Sequence, residues 1–145
     1  MPLLLRRVSR LALIVYTLLL LLVVFQPQPE LAVGSVEVAR EAVVNAVPAA
    51  APHVNDVRIE FLMNTILFVP LTFLASLVWP RVRWSEWVVA AFVISCSIEL
   101  FQAVVLDARS AQYPDVVSNT LGGLVGAVLG AGVLRVLVRP RHTDV

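Results

Sequence analysis

The chain has 145 residues, of which 59% are hydrophobic and 14% charged, with a net charge of +1 and a mean hydropathy of +0.89. Soluble domains run at about 45–50% apolar and about 25% charged, and one core of this size cannot hide the surplus, so an ordinary soluble domain is excluded. Every basic residue is an arginine, in short clusters without interleaved aromatics, which gives a nucleic-acid interface no support.

The first apolar run covers residues 11–25 and follows Leu3, Leu4, Leu5 and the arginines Arg6, Arg7 and Arg10. With those arginines snorkelling, a spanning helix over about residues 5–25 is predicted, because a bilayer takes about 20 mostly apolar residues. An Arg-rich start and a Leu-rich core also mark a signal peptide. The stretch Gln26-Pro27-Gln28-Pro29-Glu30 offers no small-x-small cleavage site, so an uncleaved helix is the reading taken.

Residues 26–60 form the first connecting loop. Within it Val36, Val43, Val44 and Val47 recur at near-helical spacing against Glu37, Arg40, Glu41 and Asn45. That pattern predicts a short amphipathic helix on the membrane surface. An irregular loop bounded by Pro27, Pro29, Pro48 and Pro52 is the alternative, and it stays open at this stage.

Three further runs qualify as spans: residues 61–79, 87–106 and 116–138. Pro70 falls mid-way along the first of these and predicts a kink. Trp79, Trp84 and Trp87 surround the tight turn that follows and read as an interfacial anchor. The fold expected is therefore all-α, one membrane domain over residues 1–145, with four transmembrane helices. The arginines decide its orientation. Arg6, Arg7, Arg10, Arg81, Arg83, Arg135, Arg139 and Arg141 flank both termini and the 80–85 turn, whereas Arg40, Arg58 and Arg109 share their loops with many acids. By the positive-inside rule both termini are cytoplasmic and the 26–60 loop is outside, in a multi-pass protein of the plasma membrane. Cys96 is the single cysteine, and His53 and His142 belong to no metal-ligand pattern. No metal or cofactor is expected.

Polar residues inside the apolar runs are the candidate site. Glu99 and Gln102 lie within the run over residues 87–106, Asn119 lies just inside residues 116–138 and Asn64 just inside residues 61–79. In antiparallel spans they fall at one depth, near the outer leaflet, with Arg109 in the loop above. Ser95, Glu99 and Gln102 share one helix face, as do Asp115, Asn119, Gly123, Gly126 and Gly130, with Gly122 beside them. The small-x-x-x-small stripe of Gly122, Gly126 and Gly130 reads as helix packing, within the chain or between two copies. Asp115 after Pro114 reads as the N-cap of the last helix. Glu99 is the hardest to explain structurally. A carboxylate at mid-helix is unfavourable by about 2.5–3.5 kcal/mol on insertion scales, while an interhelical hydrogen bond returns about 0.6–2 kcal/mol. Function outweighs a mere clamp on that ground, with Arg109, Gln102 and Asn119 as expected partners.

The stretches Asn64-Thr65-Ile66-Leu67-Phe68-Val69-Pro70-Leu71 and Ser97-Ile98-Glu99-Leu100-Phe101-Gln102, followed by Arg109, Asp115 and Asn119-Thr120-Leu121-Gly122, resemble the VanZ-like family in order and spacing over residues 61–130. The segment before Phe61 shows no clear match. The chain departs from the family pattern at Thr72, where members often carry glycine. It departs again at Gln112 and Pro114, where many carry an acidic pair. The resemblance implies an integral membrane protein of the cell envelope linked to glycopeptide, specifically teicoplanin, susceptibility; it implies no settled mechanism. The expected role is an outer-leaflet polar pocket of Asn64, Glu99, Gln102, Arg109, Asp115 and Asn119 that binds an anionic lipid or a lipid-linked envelope precursor. The alternatives are an intramembrane enzyme with Glu99 as acid or base, and a small transporter or partner-binding subunit, in which the glycine face of the last span pairs two copies.

Overall fold

The structure, a computed structural model, describes residues 3–25, 29–105 and 112–138. Five α-helices follow in chain order: α1 (Leu3–Val24), α2 (Pro29–Ala46), α3 (Asp56–Val78), α4 (Trp84–Val105) and α5 (Tyr113–Val138), with a short 3-10 segment, Pro48–His53, between α2 and α3. The described residues contain no strand. Four of the helices, α1, α3, α4 and α5, are long and apolar enough to cross a membrane.

Most spans begin before their apolar runs do, because capping chemistry, not hydropathy, starts a helix. The side chain of Asn55 accepts the Arg58 N–H at 2.9 Å and launches α3 five residues ahead of Phe61, through the polar first turn Asp56-Val57-Arg58. At α4 the Glu86 carboxylate accepts the Arg83 N–H at 2.8 Å, the returning half of a capping box. The 26–60 segment is mostly ordered structure: α2 runs for 18 residues, and Arg40 on it pairs with Asp56 at the start of α3 at 2.9 Å.

Close contacts give the helix directions. Residues 122, 126 and 130 of α5 meet residues 65, 69 and 76 of α3. Both numbers rise together, so α3 and α5 run parallel. Against α4 the order reverses: Gly123 faces Ala91 and Asn119 bonds Ser95. Against α3, α1 also runs antiparallel, with Arg6 donating to the Val78 carbonyl at 3.3 Å and Tyr16 to the Leu67 carbonyl at 2.7 Å. Parallel α3 and α5 with reversed α1 and α4 put the start of α1, the α3–α4 turn and the end of α5 at one end of the bundle.

The packing centre is the α3–α5 crossing, with α4 on the other side of α5 and α1 on α3. Small and polar side chains line the contacts of α5 with its neighbours: Ala91 and Ser95 of α4 and Ser118 and Ala127 of α5 are all fully buried. Many large aliphatic residues point outward instead; Leu22 is 69% and Val104 72% exposed. Lipid tails are as apolar as leucine, so burying leucine between helices brings no hydrophobic gain, and close backbone approach takes over.

Candidate functional site

The glycines of α5 allow that approach. A Cβ on Gly122 would lie 2.1 Å from the Thr65 carbonyl oxygen, and one on Gly126 the same distance from that of Val69. On Gly123 it would meet Ala91 at 2.3 Å and on Gly130 Ser76 at 2.6 Å. All four are taken up by α3 or α4 of the same chain, so a homodimer would have to form on another face. Thr72 occupies this seam as well: its hydroxyl donates to the Gly123 carbonyl at 2.9 Å and lies 2.3 Å from where a Gly126 side chain would begin.

At the end of the bundle away from the 79–84 turn, the candidate residues converge from α3, α4 and α5. For Gln102 and Asn119 the partners differ from the Glu99 pairing expected from sequence. Glu99 is buried, and its carboxylate accepts the Gln112 backbone N–H at 2.7 Å. Gln102 reaches away from Glu99 and donates to the Val24 carbonyl at 2.9 Å, satisfying one of the carbonyls that the end of α1 leaves without a helical partner. Asn119 donates to the Ser95 hydroxyl at 2.9 Å and ties α5 to α4. Asn64 donates to the Asp115 carboxylate at 2.9 Å and ties α3 to α5. Arg109 lies outside the described residues.

Asp115 is not the N-cap. The helix begins at Tyr113, and Asp115 sits in its first turn with its N–H on the Gln112 carbonyl at 3.1 Å. Gln112 holds the cap position, and Pro114 fits the first turn, where no backbone N–H is required. In an ordinary capping box a carboxylate three residues into the helix bonds the N-cap N–H. Here Glu99, from a neighbouring helix, supplies an acceptor for that N–H. Two carboxylates, Glu99 and Asp115, thus gather at the positive end of α5, where negative charge is favoured by about 0.3–1 kcal/mol each at exposed sites and up to about 2 kcal/mol when partly buried.

The end of α1 closes this region. Besides the Gln102 bond, Phe25 meets Phe101 edge-on with ring centroids 4.7 Å apart. Two residues that tie α1 to its neighbours, Tyr16 and Phe25, carry no motif signal. A tyrosine hydroxyl within a leucine run is the one hint sequence offers, since a buried Tyr O–H takes a partner. On the outer surface of α4 and α5 a shallow apolar groove, lined by Val88, Phe92, Val116, Thr120 and Leu124 among others, starts in the turn of α5 that carries Asp115. Among the described residues no group of three or more His, Cys, Asp or Glu side chains could hold a metal ion.

The VanZ/LLP1 family model matches residues 13–135. The chain belongs to the VanZ/LLP1 family. The match starts well before residue 61, so the family domain takes in the second half of α1 and all of α2. No curated protein and no solved structure matches the chain. Family membership and the four apolar helices together make this an integral membrane protein.

Proposed function

We propose that this VanZ/LLP1 member acts in the cell envelope by binding a lipid or lipid-linked headgroup at the Glu99–Asp115 end of the bundle, and that this changes glycopeptide susceptibility. The observation that carries the reading is the buried Glu99 carboxylate held at the first turn of α5 beside a second acid, Asp115. Intramembrane carboxylates are rare and mark sites. The apolar groove that descends from the turn holding Asp115 gives an acyl chain a surface to follow while its headgroup meets the polar end. Arg109, in the connection between α4 and α5, supplies the cation for a phosphate.

Asn119 and Gln102 play a supporting part in this reading. Each holds a neighbouring helix, and together they set the position of α5 and α1 around Glu99. In this reading the protein sits in the plasma membrane, and the distribution of arginines supports the Glu99 end facing outward.

The test is teicoplanin susceptibility in a Gram-positive host carrying wild type, Glu99→Gln or Arg109→Ala at matched membrane abundance. Protection by wild type and its loss in both variants is the expected result. If wild type behaves like empty vector, the resistance role is wrong for this member. If protection survives in both variants, the polar end is not the working part. Lipid mass spectrometry of the same strains separates binding from chemistry: unchanged lipid species support a binder, and a new species that depends on Glu99 would make the protein an enzyme.

A further inference from the structure

The opposite end of the molecule carries a second feature. The Arg6 bond to the Val78 carbonyl sets the start of α1 against the end of α3, just before Arg81 and Arg83 in the turn. Gly130 packs on Ser76, and Arg135 lies five residues beyond Gly130 as Arg81 lies five beyond Ser76. Because α3 and α5 run parallel, Arg135 is level with that turn. Arg6, Arg7, Arg10, Arg81, Arg83 and Arg135 therefore form one arginine rim. Arg7, Arg10, Arg81, Arg83 and Arg135 are exposed. Glu86 is the one acid among the described residues at this end, and its carboxylate is engaged by the Arg83 backbone N–H. The ion pair between described residues, Arg40 with Asp56, is at the other end.

We infer that this rim is a docking surface for anionic phospholipid in the leaflet it touches, distinct from the Glu99 end. Depth supports a lipid over a soluble partner. Trp79 and Trp84, 47% and 45% exposed, flank the turn, and exposed tryptophan beside a span sits at headgroup level. Guanidinium groups at that level meet phosphates directly, in the two-pronged geometry that arginine favours over lysine. The rim's basic residues are arginine throughout. Helix α1 carries three of them inside its first turns, where long side chains lie along apolar surface and put their charge in the headgroups.

The experiment is native mass spectrometry of the full chain in mild detergent, titrated with phosphatidylglycerol or with phosphatidylcholine of the same acyl chains. Wild type binds phosphatidylglycerol more tightly, and the preference weakens with salt. The triple variant Arg81→Gln, Arg83→Gln, Arg135→Gln loses affinity for phosphatidylglycerol by about fivefold per arginine removed. The pair Arg7→Gln, Arg10→Gln gives the same loss per arginine without touching the turn, and guards against misfolding of the triple variant. The control pair Arg40→Gln, Arg58→Gln, at the other end, keeps the preference. Equal binding of the two lipids by wild type, or an undiminished preference in both rim variants, overturns the inference. So does equal loss in the control pair. Binding of a soluble acidic peptide with no lipid preference would assign the rim to a protein partner instead.

Discussion

Glu99 holds the start of α5 from outside that helix, and this separates its structural role from its chemical one. Glu99→Leu leaves the Gln112 N–H without that acceptor in an apolar setting, a loss of about 1–3 kcal/mol. Glu99→Gln keeps an acceptor at the same reach. Thermal unfolding in detergent is expected to show a lowered midpoint for the leucine variant and one near wild type for the glutamine variant, while the glutamine variant still loses activity in cells. A glutamine variant as unstable as the leucine one would mean that the negative charge itself stabilises α5. The Asn119–Ser95 bond is a simpler clamp. A double-mutant cycle with alanine at both positions is expected to give a coupling of about 0.6 kcal/mol and no more than about 1.7 kcal/mol; a coupling near zero would mean the pair does not hold α5 to α4. Asn64 and Asp115 make the equivalent tie between α3 and α5.

Among the elements, α5 is the one that both α3 and α4 pack against most closely. It touches α3 with one side and α4 with another, and its glycines are spaced so that both neighbours reach its backbone. Gly126→Ala would press a methyl group against the Val69 carbonyl and the Thr72 hydroxyl at 2.1 and 2.3 Å. The obstruction is partly backbone, so relief requires moving a helix, and a destabilisation of about 1–3 kcal/mol is expected. Gly132→Ala is the matched control, because its Cβ would meet nothing within 4 Å. A melting comparison in which the two variants behave alike would show that the α3–α5 contact is not the tight one. Thr72 belongs to the same fit. Where family members often carry glycine, this chain places a hydroxyl that bonds across the seam to Gly123.

At the scale of the whole molecule, the parallel α3–α5 pair with reversed α1 and α4 sets the start of α1 and the end of α5 at one end and α2 at the other. Reporter fusions to the N-terminus, to the C-terminus and within residues 48–53 check this. The two terminal fusions are expected on the same side of the membrane and the internal one on the opposite side. Terminal fusions on opposite sides would remove one of the four spans. The two ends also differ in chemistry: clustered arginines and tryptophans at one, buried carboxylate and amide side chains at the other.

Much of this was legible in the chain itself. Hydropathy runs of about 20 residues identify the four spans, because hydrocarbon tolerates only segments whose backbone is satisfied internally. The spacing of Ser95, Glu99 and Gln102, and of Asp115, Asn119 and the glycines, follows from helical period alone. Helix starts were less legible, since Asn55 and Glu86 cap from polar flanks that hydropathy does not register. The partners were not legible at all. That Glu99 bonds the cap of α5, that Gln102 turns away to α1, and that the glycine stripe serves α3 and α4 instead of a second copy depend on which helices lie side by side and on a relative shift of a few residues. Periodicity places residues on a face, but only tertiary packing decides what that face meets.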